Sequence, residues 1–173
     1  MTLPQYFHAL ADYHIWATRR LLDDLAPLSD EEWHRDAGLS FFHSMHRAVN
    51  HLLLTDGIWW ARFAENSSPR IALDAELHAS RADACKALDE GASRWVAWIA
   101  SLDVGRFDGE LAYTRNNGQA VRVLFAPALG HAFNHATHHR GEITAAIAAF
   151  NRPYPELDWI YKLQQEMPSD KRA

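Results

Sequence analysis

The sequence predicts an all-α protein: a four-helix bundle with a short β-hairpin between the third and fourth helices and a short C-terminal helix. Three observations carry this prediction. Apolar residues recur at three- and four-residue spacing through four long segments, the signature of amphipathic helices. Short polar or proline-containing links separate those segments. Around one Asn-Gly pair the period switches to that of a strand pair. With no internal repeat or low-complexity linker, the 173 residues are expected to form a single domain spanning 1–173.

The first helix is expected over Pro4 to Leu25, where Phe7, Leu10, His14, Ala17, Leu21 and Leu25 share a face. Pro4 suits a first turn and Pro27 a stop. Ser29-Asp30-Glu31-Glu32 reads as a polar link, with Trp33 an edge contact. The second helix should begin near Ser40 or Ser44 and run to about Phe63, presenting Ala48, His51, Leu52, Thr55, Ile58, Trp59 and Arg62 on one broad face. The cluster from Glu65 to Pro69 breaks it. The third helix is expected from an Asp74 N-cap to Leu102, with Leu77, Ala84, Leu88, Trp95, Ile99 and Leu102 turned inward. Leu111–Thr114 and Val121–Val123 form the hairpin around Asn117-Gly118. The fourth helix spans roughly Phe125 to Phe150, stopped by Asn151 and Pro153, and a last short helix covers Glu156 to Gln165.

Composition narrows the function. Forty-eight percent hydrophobic and 23% charged residues describe a globular chain. The net charge is −5, and the fourteen arginines and three lysines are scattered among carboxylates, which argues against a nucleic-acid partner. The longest apolar run, Ile143 to Phe150, falls far short of the ~18 residues of a membrane span. The N-terminal segment lacks a basic stretch followed by an apolar block, so no signal peptide is expected and the cytoplasm is the expected location. A lone Cys85 excludes an intrachain disulfide and any multi-cysteine zinc site. Set among Ala84, Ala87 and Leu88, it reads as an inert core thiol. No Gly-rich phosphate loop and no Gly-x-Ser-x-Gly elbow is present.

Histidine is the outlier: of eleven, four lie between His131 and His139. Residues four apart on a helix stack on one face, so His131, His135, His139 and Glu142 form a row with His138 at its edge. An i, i+4 pair lets one helix offer two imidazole nitrogens to one ion. The alternative is a solvated or capped polar face. Two features favour a metal site. The row shares its face with Leu124, Ala128 and Ala146 and should point inward, where unpartnered histidines would be costly. His51 on the inner face of the second helix would complete a three-histidine site with open positions.

At these residues the chain resembles the DinB-like four-helix-bundle family. His135-Ala-Thr-His-His139-Arg140-Gly141, preceded by Asn134, is similar to that family's Asn-His-x-x-His-His-Arg-Gly-Gln signature. Asn50-His51-Leu-Leu-Leu-Thr-Asp56 with Trp59 and Arg62 resembles its second-helix motif, and Tyr13-His14-Ile-Trp16-Ala17 its first-helix Tyr-Asn-x-Trp-Ala pattern. Pro155-Glu-Leu-Asp158 resembles its C-terminal segment. The resemblance runs in order over nearly the whole chain. It implies a divalent metal held by His51, His135 and His139, with His138 outside the ligand set, Arg140 structural and Gly141 allowing close helix contact. It also implies a homodimer packed through helices. Relatives include thiol-dependent transferases and an isomerase, in which the metal activates a low-molecular-weight thiol.

Two positions depart from the pattern. Glu142 replaces the usual Gln and could orient a ligand, act as a general base, or sit as a paired carboxylate. His14 replaces the usual Asn and reads as a core histidine or an extra ligand. Asp56 either orients a neighbour or is a surface carboxylate or an ion pair with Arg62, and Trp16, Trp59 and Trp60 line a pocket or pack in the core or a dimer contact. The functional expectation is therefore a three-histidine metal protein, zinc or nickel first and iron third, that acts on a small molecule as a thiol transferase or hydrolase. Its alternative is a non-catalytic, stress-response bundle in which the ion is structural.

Overall fold

The computed structural model describes residues 1–39 and 41–168. Helix α1 (Leu3–Leu25) opens on a capping box: the Thr2 hydroxyl accepts from Gln5 N–H while the Gln5 side chain accepts from Thr2 N–H. Ser29 and Glu32 make the same reciprocal pair and start a helix, α2 (Asp30–His34), in the segment expected to be a polar link. The three-residue spacing from Ser29 to Glu32 was the available signal. This turn drives Trp33 into the core, where it is 1% exposed rather than an edge contact. Arg152, just beyond the fourth long helix, clamps Glu32 with two bonds of 2.9 and 2.8 Å, and these hold the Glu32 carboxyl down at about 2.

Helix α3 (Met45–Ala64), capped by Ser44, is buried on nearly every side through its first three turns, as befits the central element. It packs on α4 (Arg81–Ala100) and on α5 (Phe125–Ala149). Helix α1 lies against α4 and α5, which closes the bundle.

Helix α4 starts at Ser80, whose hydroxyl accepts from Asp83 N–H, and not at Asp74. The cause lies on α3. Asn50 Oδ1 accepts from the amides of Leu77 and His78, its Nδ2 donates to the carbonyls of His46 and His78, and the Leu73 carbonyl is bonded by His51 Nδ1. Backbone groups engaged in this way are unavailable to a helix. Leu77, expected to face inward, is accordingly 40% exposed.

Strands β1 (Glu110–Thr114) and β2 (Ala120–Leu124) pair antiparallel with Leu111 opposite Val123. Arg115 N–H bonds Gln119 O and Gly118 N–H bonds Arg115 O, which leaves a three-residue loop closed by Gly118 at φ 87°. Helix α5 ends with Asn151 at φ 55° and Arg152 N–H on the Ile147 carbonyl, a left-handed cap. The last helix, α6 (Trp159–Glu166), buries no residue fully. The fold expected from sequence is therefore present, with two additional short helical segments, α2 and a 3-10 turn over Val104–Asp108. No helix among the described residues is long and apolar enough to cross a membrane.

Two apolar clusters fill the bundle. One gathers Leu21, Leu25, Trp33, Met45, Leu52 and Leu88; the other gathers Phe7, Phe63, Trp95, Phe107, Phe125 and Leu129. A polar layer is built from His14 on α1, Asp56 on α3, Arg94 on α4 and Arg140 on α5. Arg140 Nη1 donates to His14 Nδ1 at 2.9 Å and its Nη2 to Thr137 Oγ1 at 2.9 Å. Because Arg only donates, His14 carries its proton on Nε2, which faces Asp56 Oδ1 at 3.5 Å. Asp56 also accepts from Trp95 Nε1 at 2.7 Å and from Arg94 Nη2 at 3.0 Å. Burial alone would raise the Asp56 pKa, but these donors outweigh it and hold the carboxyl below the usual range. Burial pushes His14 down, so it is neutral at pH 7. A Cβ at Gly91 would stand 2.9 Å from Asp56 Oδ2, so only glycine lets α4 approach this carboxylate. Asp56 is thus a buried carboxylate paired with Arg94, neither a surface group nor an ion pair with Arg62.

Replacing Asp56 by Ala strips the counter-charge from this layer and should cost roughly 3–5 kcal/mol of stability. The surface pair Arg19–Asp89 provides the control, since Asp89→Ala should cost no more than about 1 kcal/mol. Urea unfolding of both variants checks this, and equal losses would contradict the account.

Candidate metal centre

Two helices build the centre. His51 lies in the second turn of α3, and His135 and His139 lie one turn apart on the facing side of α5. His135 Nε2 and His139 Nε2 are 3.2 Å apart, and the ring of His51 is 4.5 Å from that of His139 and 5.8 Å from that of His135. One ring nitrogen from each of the three lies within 4.8 Å of the others, which identifies His51, His135 and His139 as a group that could hold a metal ion. A tetrahedral ion with bonds of about 2.0–2.1 Å separates two ligand nitrogens by roughly 3.3 Å, close to the His135–His139 distance.

The neighbours decide which nitrogen faces inward. His51 Nδ1 is 2.8 Å from the Leu73 carbonyl and His139 Nδ1 is 2.7 Å from Glu142 Oε2. Both partners only accept, so both Nδ1 atoms carry the proton and both Nε2 atoms present a lone pair. His135 Nε2 can donate to His139 Nε2, and shifting its proton to Nδ1 aims three lone pairs at one region. Phe42 covers the group, with its ring 4.2 Å from His51 and 5.6 Å from His139.

Desolvation sets the protonation. Burial is the largest influence on all three imidazoles and lowers each pKa. His135 falls furthest, to about 3, because burial is joined by repulsion from His139, His51, His131 and His138. Glu142 partly offsets the fall at His139. The trio is therefore neutral at pH 7 and need release no proton to accept a cation.

The remaining sequence candidates sort by position. Glu142 bonds the second nitrogen of His139, the orienting arrangement among the three considered, and its other oxygen lies 3.4 Å from His138 Nε2. His138 is exposed, outside the trio; it does group with His139 and Glu142 as a second conceivable ion site, but there Glu142 already accepts from His139. His131 stands edge-on to Trp59 at the protein surface, so the row turns outward at its N-terminal end, and Leu124 is 60% exposed rather than part of an inner face. His14 belongs to the polar layer and not to the trio. Arg140 is buried and structural, as expected. Gly141 does not serve close helix contact within the chain, since a Cβ there would meet nothing within 4 Å. Trp59 lines a pocket beside His135, whereas Trp60 bonds Glu65 and Trp16 bonds Gln165. Cys85 is half-buried with its thiol pKa raised by burial, the opposite of an activated nucleophile. Sequence reasoning missed the Leu73 carbonyl that fixes His51, because a backbone atom in an irregular segment has no residue-type signature.

A profile described as the DinB family matches residues 1–168. The protein named Protein DinB from Bacillus subtilis (strain 168) is 24% identical over 146 residues, covering 80% of this chain and 82% of that protein. No solved structure matches the chain significantly.

The lowered His135 pKa has a stability consequence whose sign is fixed. Between about 3 and the ordinary value near 6.5, the unfolded chain binds the proton and the folded chain does not, so metal-free protein should lose stability as pH falls through that window. Urea midpoints measured from pH 7 to pH 4 should decline, and His135→Gln should flatten the decline. An unchanged slope in that variant would contradict the assignment.

Proposed function

The chain belongs to the DinB family, and on that premise, together with three converging neutral imidazoles, we propose that it binds a divalent metal ion through His51, His135 and His139 and acts as a metal-dependent thiol transferase on a small molecule. Zinc and nickel suit an all-imidazole set best, with iron third. The observation that carries the reading is the fixed tautomer of His51 and His139, each held by an acceptor on its far nitrogen. When bound, an ion with three neutral ligands keeps its full charge and open positions, and it supplies Lewis-acid activation of a thiol or of water.

The protein's own groups divide the remaining work. Glu142 is a positioning residue: both its oxygens face imidazoles, which supports orientation of His139 over a general-base role. The Leu73 carbonyl does the same for His51 and couples the centre to the 65–80 segment. Phe42 shields one side from water, while the pocket beside His135 leaves room for a substrate. A thiol delivered there would lose its proton to solvent through this open side and attack an electrophilic carbon, displacing its leaving group. We place this activity in the cytoplasm and in a homodimer; the apolar side chains that α6 leaves exposed, Ile160, Tyr161 and Leu163, support self-association.

Because the ligands come from two helices, a bound ion also joins α3 to α5, and a purely structural role is the second reading. Elemental analysis of untagged protein purified without chelator should find about one equivalent of metal per chain, lost in His135→Ala. Glu142→Gln should keep the stoichiometry with affinity weakened by up to roughly 10–100-fold. The loaded protein should conjugate a small thiol to an electrophile and His135→Ala should not. Full metal content in His135→Ala would overturn the site. Metal binding with a chelator-sensitive melting temperature and no turnover across a panel of electrophiles would leave the structural reading.

A further inference from the structure

A pocket of about 280 Å³ opens beside the metal centre between α3, the 65–80 segment, the hairpin and α5. His135 stands at one end, with Thr55, Trp59, Arg62, Tyr113 and Arg115 among the rest of its wall. Its volume lies just under the roughly 300–1,000 Å³ that drug-sized ligands fill, so it suits a smaller molecule. Its electrostatics are one-sided. Two guanidiniums border it and no acidic residue lines it among the described residues.

Arg62 is the unusual one. It continues the α3 face that carries His51, Thr55 and Trp59, at successive helical turns. Its guanidinium lies 4.6 Å from the Trp59 ring centroid and 4.2 Å from that of Tyr113. Its Nε is buried without a hydrogen-bond partner, and no carboxylate pairs with it among the described residues. The Arg115 guanidinium, on the hairpin turn, donates to the neutral Gln119 side chain and pairs with no carboxylate among the described residues, and the turn itself is anchored by Asn116 on the Ile71 carbonyl. Burial lowers the Arg62 pKa, Tyr113 partly offsets that, and Arg115 adds like-charge repulsion, so no carboxylate among the described residues compensates the positive field. A half-buried guanidinium without a carboxylate partner, beside a second cation, is the arrangement that an entering anion completes.

We infer that this pocket binds a small organic carboxylate, gripped by Arg62 with Arg115 at the rim, its apolar body along Trp59 and its other end directed toward His135. Only that last clause rests on the function proposed above. A carboxylate is favoured over a phosphate because Arg62, set against the Trp59 and Tyr113 rings, offers a single planar fork, matched by two coplanar oxygens. The substrate class that follows is an acid carrying its reactive centre a short distance from the carboxylate.

Calorimetric titration of the full chain, metal-loaded and chelator-treated, with phenylacetate, the neutral phenylacetamide and phenyl phosphate tests this. Phenylacetate should bind both forms, the amide neither, and the phosphate ester more weakly. Arg62→Met should weaken phenylacetate binding about tenfold or more while keeping the native metal content and melting behaviour. Arg115→Gln, on an exposed turn where folding is not at stake, should weaken it several-fold. Equal binding of the amide, tighter binding of the phosphate ester, unchanged affinity in a folded Arg62→Met, or no saturable carboxylate binding would each overturn the inference. Loss of phenylacetate binding on chelation alone would also overturn it, by moving the carboxylate to the metal. A protein that holds no metal yet binds phenylacetate through Arg62 would sustain this pocket and remove the function proposed above.

Discussion

The bundle depends on one buried carboxylate. Asp56 sits where four helices meet, and an ionised side chain there is tolerated only if every oxygen has a donor. Trp95 and Arg94 supply those donors from α4, while His14 from α1 faces it and is in turn fixed by Arg140 from α5. The layer therefore specifies which helix lies beside which, and at what height. Apolar packing alone would not do this, since the two apolar clusters are built from interchangeable large side chains. Gly91 belongs to the same constraint, because the donors on α4 reach Asp56 only at a backbone separation that no side chain at that position permits.

Fixing the height of α3 against α5 also fixes where the histidines meet. His51 precedes Asp56 by five residues and His139 precedes Arg140 by one, so the residues that lock the layer also set where the imidazoles meet. The two groups of histidine obey the same rule with opposite results. His14 accepts from Arg140 on Nδ1 and turns its Nε2–H toward Asp56 at 3.5 Å, so neither nitrogen offers a lone pair to an ion. His51 and His139 give their protons to a carbonyl and a carboxylate on the outer side, which leaves lone pairs facing one another. Desolvation keeps all of them neutral, but only the second group has spare donor capacity.

Much of this was legible in the sequence, and the parts that were not share a cause. The helical spacing from Phe7 to Leu25 and from His51 to Arg62 placed α1 and α3 correctly, because a long amphipathic period is strong evidence. The four-residue spacing of His135 and His139 brought those two together for the same reason. What periodicity could not give was the partner of each polar side chain. Asp56 was equally compatible with a surface position or an ion pair with Arg62, and Asp74 looked like a helix start until Asn50 claimed the backbone that follows it. His131 fitted the row by arithmetic, yet the helix end turns it to solvent. Each of these outcomes is decided by contacts between residues about 20 or more positions apart, or by where the bundle ends, and neither is written in local spacing.

Glu142 shows how one such contact gives meaning to a departure from the family pattern. A glutamine at this position could still accept from His139 Nδ1 through its amide oxygen, so orientation alone does not require an acid. The carboxylate adds two things. Its second oxygen faces His138, which ties an exposed imidazole into the same array. Its negative charge raises the basicity of His139, and the upward influence on that residue's pKa is the sign of it, working against burial. A more basic imidazole is a stronger σ-donor to any cation it meets, so the substitution strengthens one ligand selectively. His51, held by a neutral carbonyl, receives only a more distant share of that charge, so the three imidazoles are electronically unequal even though the sequence writes them with the same residue.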